Sequence, residues 1–237
     1  HVALCRQSQA CRLRKDMVIR MKIIELSDVT FGYDEAEPPV LAHFNLAIEK
    51  GTCIVIEGDN GSGKTTLFRI INGLSFPQKG KFLFDGIEIN EKYLKDSRNA
   101  KLFHKRIGYL FQNPDAMLFN AKVYDEIAFG PRQMGMAEEE VKRRTQDCMR
   151  IFDLETLADK APYHLSGGQK KKTALAAVMS LNPEVIVLDE PFAGLDQKSQ
   201  QILTTFIEDL KKAGKTLLIA THNPDVKEKL ADVTISL

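Results

Sequence analysis

The sequence predicts an α/β fold, a parallel-sheet core with a helical subdomain inserted at about residues 115–165. Three observations carry that expectation. Short β-branched apolar runs, "TCIVIEG" at 52–58, "VIVLDE" at 185–190 and "TLLIATH" at 216–222, have the texture of strands buried on both faces. Stretches of helical spacing separate them, and strands alternating with helices argue for a parallel sheet. Two glycine-rich turns, "GDNGSGKTT" at 58–66 and "LSGGQKKK" at 165–172, each stand at the mouth of a helix. At 237 residues the chain is long enough for one large α/β domain or two small ones.

The elements follow in order. "MKIIELSDVTFGY" (21–33) reads as a strand ending in a glycine turn, and "EPP" at 37–39 breaks structure. The run at 52–58 feeds straight into the first glycine loop, and "TTLFRIING" then shows helical spacing with a stop at Gly73. "GKFLFDGIEI" (80–89) reads as a hairpin, and "RIGYLFQNP" (106–114) as a strand ended by Asn-Pro. From Asp115 to about Leu157 the texture is helical; in "AEEEVKRRTQDCMRIF" (137–152) acid leads and base follows, which suits the helix dipole. "ALAAVMSL" is apolar and helical, and "DVTISL" closes the chain. No internal repeat is present.

Composition excludes several classes. Hydrophobic residues are 43% and charged residues 27%, ordinary for a globular protein, and the net charge of +1 leaves no electrostatic footprint for nucleic acid. No run approaches eighteen apolar residues, so no membrane-spanning helix is expected. Cys5, Cys11, Cys53 and Cys148 form no CxxC pair and stand near no His cluster, which argues for reduced thiols and against zinc. Residues 1–20 carry about +4 of net charge without apolar periodicity. They are read as a disordered or non-native extension before a start at Met21, with a basic nucleic-acid arm the lesser reading.

The chemistry begins at residues 58–66. "GDNGSGKT" fits G-x-x-x-x-G-K-[ST] between a strand and a helix, the context of a phosphate-binding P-loop. Gly58, Asn60, Gly61, Ser62 and Gly63 would turn backbone N–H groups around phosphate oxygens, with Thr66 following. Lys64 would place its charge on the outer phosphates, and Thr65 would offer its hydroxyl to Mg²⁺. In "VIVLDEP" a carboxylate at the end of a buried strand, Asp189, suits the metal, and Glu190 would polarise an attacking water. A second N–H-rich helix mouth at Ser166, Gly167 and Gly168 has no obvious ligand within one chain. Two copies facing head to tail could each lend it to the other's nucleotide.

These motifs, from Met21 to Leu237, resemble the ATP-binding cassette (ABC) ATPases, whose signature is "LSGGQ". The resemblance implies a P-loop core with an N-terminal antiparallel β subdomain, ATP and Mg²⁺ as cofactors, and two cassettes sandwiching two ATPs. It also assigns residues. Ser166, Gly167 and Gly168 would contact the γ-phosphate on the partner's P-loop, with Gln169 completing the motif. Tyr33 would stack on adenine, and Gln112 would be the lid glutamine touching Mg²⁺ or water. Asp196 in "AGLD" would be the subunit-sensing residue, and His222 the switch histidine. Phe192 and Lys172 depart from common family residues without threatening function.

"FQNPDAMLF" and "VYDEIAFGPRQMG" are similar to the energy-coupling factor (ECF) ATPases of cobalt and nickel importers. That likeness implies a peripheral motor on the cytoplasmic face of the cell membrane. Its partners would be a second cassette, identical or different, a transmembrane coupling protein docking at Leu118 and Phe119, and a substrate-binding membrane protein. Cobalt is the expected cargo, with nickel and vitamins open. A chromosome-maintenance ATPase would need a coiled-coil or zinc insertion between Lys64 and Ser166, where neither stands, and a translation cassette protein would carry two of each motif. An end soon after the His222 strand is expected of a short member or a fragment.

Overall fold

The computed structural model describes residues 21–34 and 36–237, so the reading of residues 1–20 lies outside the described residues. The strands are β1 (Lys22–Phe31), β2 (Leu41–Glu49), β3 (Cys53–Glu57), β4 (Lys79–Phe84), β5 (Ile87–Glu88), β6 (Ile107–Leu110), β7 (Val185–Asp189), β8 (Thr216–Ala220) and β9 (Val233–Ser236). The helices are α1 (Lys64–Ile71), α2 (Glu91–Lys95), α3 (Ser97–Arg106), α4 (Val123–Gln133), α5 (Glu138–Ile151), α6 (Gly167–Met179), α7 (Gln197–Lys212) and α8 (Pro224–Leu230).

Two sheets result. One is antiparallel, ordered β2-β1-β4-β5; the other is parallel, ordered β6-β7-β8-β3-β9. Every residue of β7 and β8 is buried, as continuous apolar runs require. Because side chains alternate across a strand, β3 feeds two cores. Ile54 and Ile56 join the antiparallel sheet and α1 (Leu26, Ile48, Phe68), while Cys53 and Val55 join the helical side (Ile127, Leu175, Ile207). Each such Ile or Leu contributes roughly 1.5–3 kcal/mol by leaving water.

The hairpin expected at 80–89 is β4–β5, turned by Asp85 (φ 51°) and Gly86 (φ 79°), the two positive φ values of a tight hairpin loop. The strand read at 106–114 is shorter, ending at Leu110 before a 3₁₀ turn at Pro114–Ala116. Arg106 clasps the two sheets. Its guanidinium donates to Asp85 Oδ2 at 2.6 Å and to Glu184 at 2.8 and 2.9 Å, and lies 4.9 Å from the Phe84 ring. That cation holds the Asp85 carboxyl below the usual carboxylate range.

β2 and the helices α2, α3, α7 and α8 were not separated as elements in the sequence. β2 hides because only Leu41, Leu46 and Ala47's neighbour Ile48 are buried along nine residues. α2 and α3 are short and mostly exposed, and their capping signals are local. Asn90 accepts from Tyr93 N at 2.8 Å, and Asp96 accepts from Arg98 N at 2.8 Å and Asn99 N at 3.2 Å. On the helical side α4, α5 and α6 pack through Val123, Ile127, Met149 and Leu175. Cys53 and Cys148 are free and buried, and burial pushes their thiols up to about 12 and about 11.

Candidate functional site

The carboxyl ends of β3, β6, β7 and β8 lie along one edge of the parallel sheet, with Ile56 and Asp189 both paired to Ala220 and Leu110 paired to Leu188. Ligands of open α/β sheets bind at this edge. The residues that follow these strands converge there: the loop at 58–63, Gln112, Glu190 and His222. Of these, Asn60, Gly61, Gly63, Gln112, Glu190 and His222 line one cleft together with Lys64, Thr65, Thr66, Asp189 and Tyr33, while Gly58 and Ser62 do not.

The loop is shaped by glycine. Gly63 caps α1 at φ 101°, and a Cβ there would come within 3.1 Å of Val40 Cγ1. Gly58 sits at φ 151°, where a Cβ would meet Ser62 Oγ at 2.5 Å and the Leu237 carbonyl at 2.8 Å. Lys64, only 8% exposed, turns its ammonium back along the loop, donating to the carbonyls of Gly58 at 2.5 Å and Asp59 at 2.9 Å. The cation is thereby held at the mouth of α1, where backbone N–H groups and the helix dipole favour an anion. Ser62 Oγ is buried with no hydrogen-bond partner, a polar atom suited to a ligand's oxygen.

Although β8 separates β7 from β3, α1 carries Thr65 across to Asp189. Thr65 Oγ1 donates to Asp189 Oδ2 at 3.0 Å. The Tyr109 hydroxyl donates to the same oxygen at 3.1 Å. Asp189 is 2% exposed, and burial raises its carboxyl above the usual range while the two hydroxyls oppose that. Burial likewise raises the Tyr109 phenol, keeping it a neutral donor. Tyr109 was missed in the sequence; the alternation "IGYL", which aims position 109 opposite Leu110, was the available signal. The donors here are hard oxygens, as Mg²⁺ prefers. No group of three His, Cys, Asp or Glu able to hold a metal stands among the described residues, so a cation here would be shared between Thr65, Asp189 and oxygens of a bound phosphate.

Glu190 bends away from β7 at φ 46°, its N–H donating to the Ala220 carbonyl at 3.0 Å. Its Oε1 lies 3.2 Å from His222 Nε2 without the alignment of a hydrogen bond. Burial raises its carboxyl, opposed by the His222 charge. A carboxylate so placed can take hydrogen bonds from a water beside the phosphate position. Gln112 is exposed at the rim. Tyr33 is 63% exposed, stands edge-on to Phe31 at 5.1 Å, and pairs its hydroxyl with Thr66 Oγ1 at 3.1 Å.

The second glycine motif does not line this cleft. Ser166 caps α6 in a capping box: its Oγ accepts from Gln169 N at 3.3 Å, and Gln169 Oε1 accepts from Ser166 N at 3.0 Å. Gly167 and Gly168 stand outside the positive-φ region, and a Cβ on Gly167 would meet nothing within 4 Å. Asp196 is exposed and caps α7, accepting from Ser199 N at 2.7 Å, which lowers its carboxyl. Phe192 is 3% exposed and joins the helical-side core.

Leu118 is half-buried against that core, whereas Phe119 is 67% exposed and stands edge-on to exposed Phe129 at 4.9 Å. The backbone carrying Phe119 is fixed by Glu126, 4% exposed, whose Oε2 accepts from Phe119 N at 3.0 Å and Asn120 N at 2.7 Å.

Comparison with known proteins places this geometry. The family model described as ABC transporter matches residues 41–193. A Clostridium acetobutylicum protein, provisionally named an ABC transporter ATP-binding protein, is 46% identical over 85% of this chain and 83% of its own length. The nickel import ATP-binding protein LarO of Lactiplantibacillus plantarum is 45% identical over 82% of this chain and 81% of its own. Among solved structures, the ATP-binding cassette MJ0796, seen as a dimer bound to ADP and Pi, superposes with TM-score 0.82 at 29% identity, covering 91% of this chain and 94% of that one. The structure of cbiO1 from Clostridium perfringens, part of the transporter complex cbiONQ, gives TM-score 0.77 at 33% identity over 91% and 84%. The glycine loop, the Thr65–Asp189 contact and the neighbouring Glu190 thus stand in a chain that belongs to the ABC transporter family, as one of its ATP-hydrolysing cassettes.

Proposed function

We propose that this cassette is the motor of a metal-ion importer, of energy-coupling factor type, carrying nickel or cobalt. The observation that carries the reading is the 45% identity to a nickel import ATP-binding protein across four-fifths of both chains. The likeness to cbiO1 supports it. Among the described residues no helix is long and apolar enough to cross a membrane, so the path for the ion would lie in a partner.

In this reading Tyr33 stacks on adenine and the loop from Gly58 to Gly63 wraps the phosphates. Lys64 lays its charge on the outer ones, and Thr65 and Asp189, with Gln112 at the rim, hold Mg²⁺. The cation, when bound, neutralises charge developing on the phosphates. Glu190 polarises the water, and His222 reaches the γ-phosphate. Two copies, or this chain and a second cassette, pair head to tail, so that Ser166, Gly167, Gly168 and Gln169 close each other's site and Asp196 senses the neighbour. The open space over Gly167 supports that arrangement, because the chain's own packing does not demand a glycine there.

The exposed Phe119–Phe129 pair supplies an apolar contact for a transmembrane coupling protein on the cytoplasmic face, in a docking groove between Gln112 and Met134. A separate membrane protein would capture the ion. The test is uptake of radioactive nickel and cobalt by cells expressing the chain with its membrane partners. Uptake of either metal that is lost in Glu190→Gln is the expected result. ATP hydrolysis by the complex with uptake of neither metal would overturn the cargo and leave the motor standing.

A further inference from the structure

The first two of the three lysines after the second glycine motif diverge. Lys170 pairs with Asp115 at 2.7 Å, on the 3₁₀ turn that follows Gln112. Lys171 points inward and is 6% exposed. Its ammonium donates to the backbone carbonyls of Glu190 at 3.1 Å and Ala193 at 2.7 Å. Those carbonyls bound a tight turn, closed by Ala193 N donating to Glu190 O at 3.2 Å. The turn begins at Glu190, whose backbone is in the left-handed region at φ 46°, and both Glu190 and Ala193 line the cleft.

A lysine buried only for packing would be replaced at lower cost by methionine or leucine, since burying an ammonium is unfavourable unless its hydrogen bonds are met. Here two are met, both by one turn. A non-glycine residue at positive φ is strained and persists only where its surroundings fix it. Glu190 is fixed from one side by the Ala220 carbonyl and from the other by Lys171.

We infer that Lys171 is a positioning residue for ATP hydrolysis: it ties the 190–193 turn, and hence the direction of the Glu190 carboxylate, to the helix that begins at Ser166. This rests on the proposed role of Glu190. Lys171 stands one helical turn after Gly167, so a phosphate engaging the mouth of α6 and the carboxylate beside the chain's own nucleotide are linked through one side chain and two hydrogen bonds. The ammonium itself does not line the cleft and touches no reacting atom.

The experiment compares Lys171→Met and Lys171→Arg with Glu190→Gln and with the Lys171→Met/Glu190→Gln double variant, measuring steady-state hydrolysis, fluorescent-ATP binding and thermal unfolding. Lys171→Met should lower kcat about 10–100-fold, the scale of a misplaced catalytic group, with KM and nucleotide affinity unchanged. Lys171→Arg, which can still reach both carbonyls, should recover most of the loss. In the Glu190→Gln background Lys171→Met should cost nothing further. Should Lys171→Met not fold, Lys171→Gln carries the same comparison. Unchanged kcat in the Met variant, a parallel fall in kcat, affinity and melting temperature, or a full additional loss in the double variant would each overturn the inference. Undiminished turnover in Glu190→Gln would instead overturn the role of Glu190.

Discussion

Two glycine-rich helix mouths, 58–63 and 166–168, look alike in sequence and differ in what their glycines are for. In the first, the chain itself demands glycine. Gly58, Gly61 and Gly63 all have positive φ, and side chains at Gly58 and Gly63 would press on Ser62, Leu237 and Val40. In the second, the chain demands nothing: neither glycine has positive φ, and a Cβ on Gly168 would come no nearer than 3.8 Å to Leu195 Cδ2. The first loop has a backbone that only glycine adopts without strain; the second has room for a side chain, which accords with the proposed approach of a second cassette.

The comparison breaks most easily at the charges. Lys64→Ala removes the cation at the first mouth and should reduce phosphate release at least ~100-fold, the scale of losing one preorganised charge-stabilising donor. Hydrolysis near the wild-type rate would remove the first mouth from the chemistry. Ser166→Arg attacks the other mouth. It should bind ATP with ordinary affinity and fail to hydrolyse it, and mixing it with Lys64→Ala should restore part of the activity by pairing an intact loop with an intact signature. Loss of the Ser166 cap costs about 0.5–2 kcal/mol, so unfolding is followed alongside. Full activity of Ser166→Arg alone would end the shared-site reading.

Alanine sharpens the contrast further. Gly63→Ala should destabilise by about 1–3 kcal/mol through backbone strain alone. Gly168→Ala, in a helix with room for a methyl group, should leave stability equal or raise it by up to ~1 kcal/mol, yet lower hydrolysis. Chemical denaturation of the two variants reads the difference, and equal destabilisation would cancel it. The smallest effect on hydrolysis is expected from Phe119→Asp, since Phe119 does not line the cleft. Basal ATPase activity should persist while co-purification with the membrane complex is lost, and a variant that still co-purifies and drives uptake would dismiss the docking role. Aggregation is not expected, since Phe119 is 67% exposed and outside the core.

Much of this was legible before folding. The runs that became β3, β7 and β8 are apolar at nearly every position because both their faces are buried, and that pattern is the least ambiguous a strand can have. Lys64, Thr65, Asp189 and Glu190 could be named because each sits at the end of such a strand or the head of the following helix, and His222 because the family resemblance assigned it. Residues that act from the middle of an element were not legible. Tyr109 meets Asp189, and Lys171 the 190–193 turn, only because β6 lies beside β7 and α6 crosses near that turn, contacts between segments about 20 to 80 positions apart. The separation of Leu118 from Phe119, one packed and one bare, was equally hidden, since it depends on how Glu126 pins the loop between them and α4.

The double use of the parallel sheet sets a clock on the molecule. Neighbouring side chains of β3 belong to different cores, so no amide of β3, β7 or β8 can meet solvent through the loosening of one side alone. Deuterium should enter those strands only when the whole cassette opens, and their slowest amides should report the global unfolding free energy. Residues 113–122, tied to their surroundings by side chains such as Glu126 and Lys170 and by no strand ladder, should exchange far sooner, so that a single labelling time course tells the sheet apart from the segment that carries Phe119.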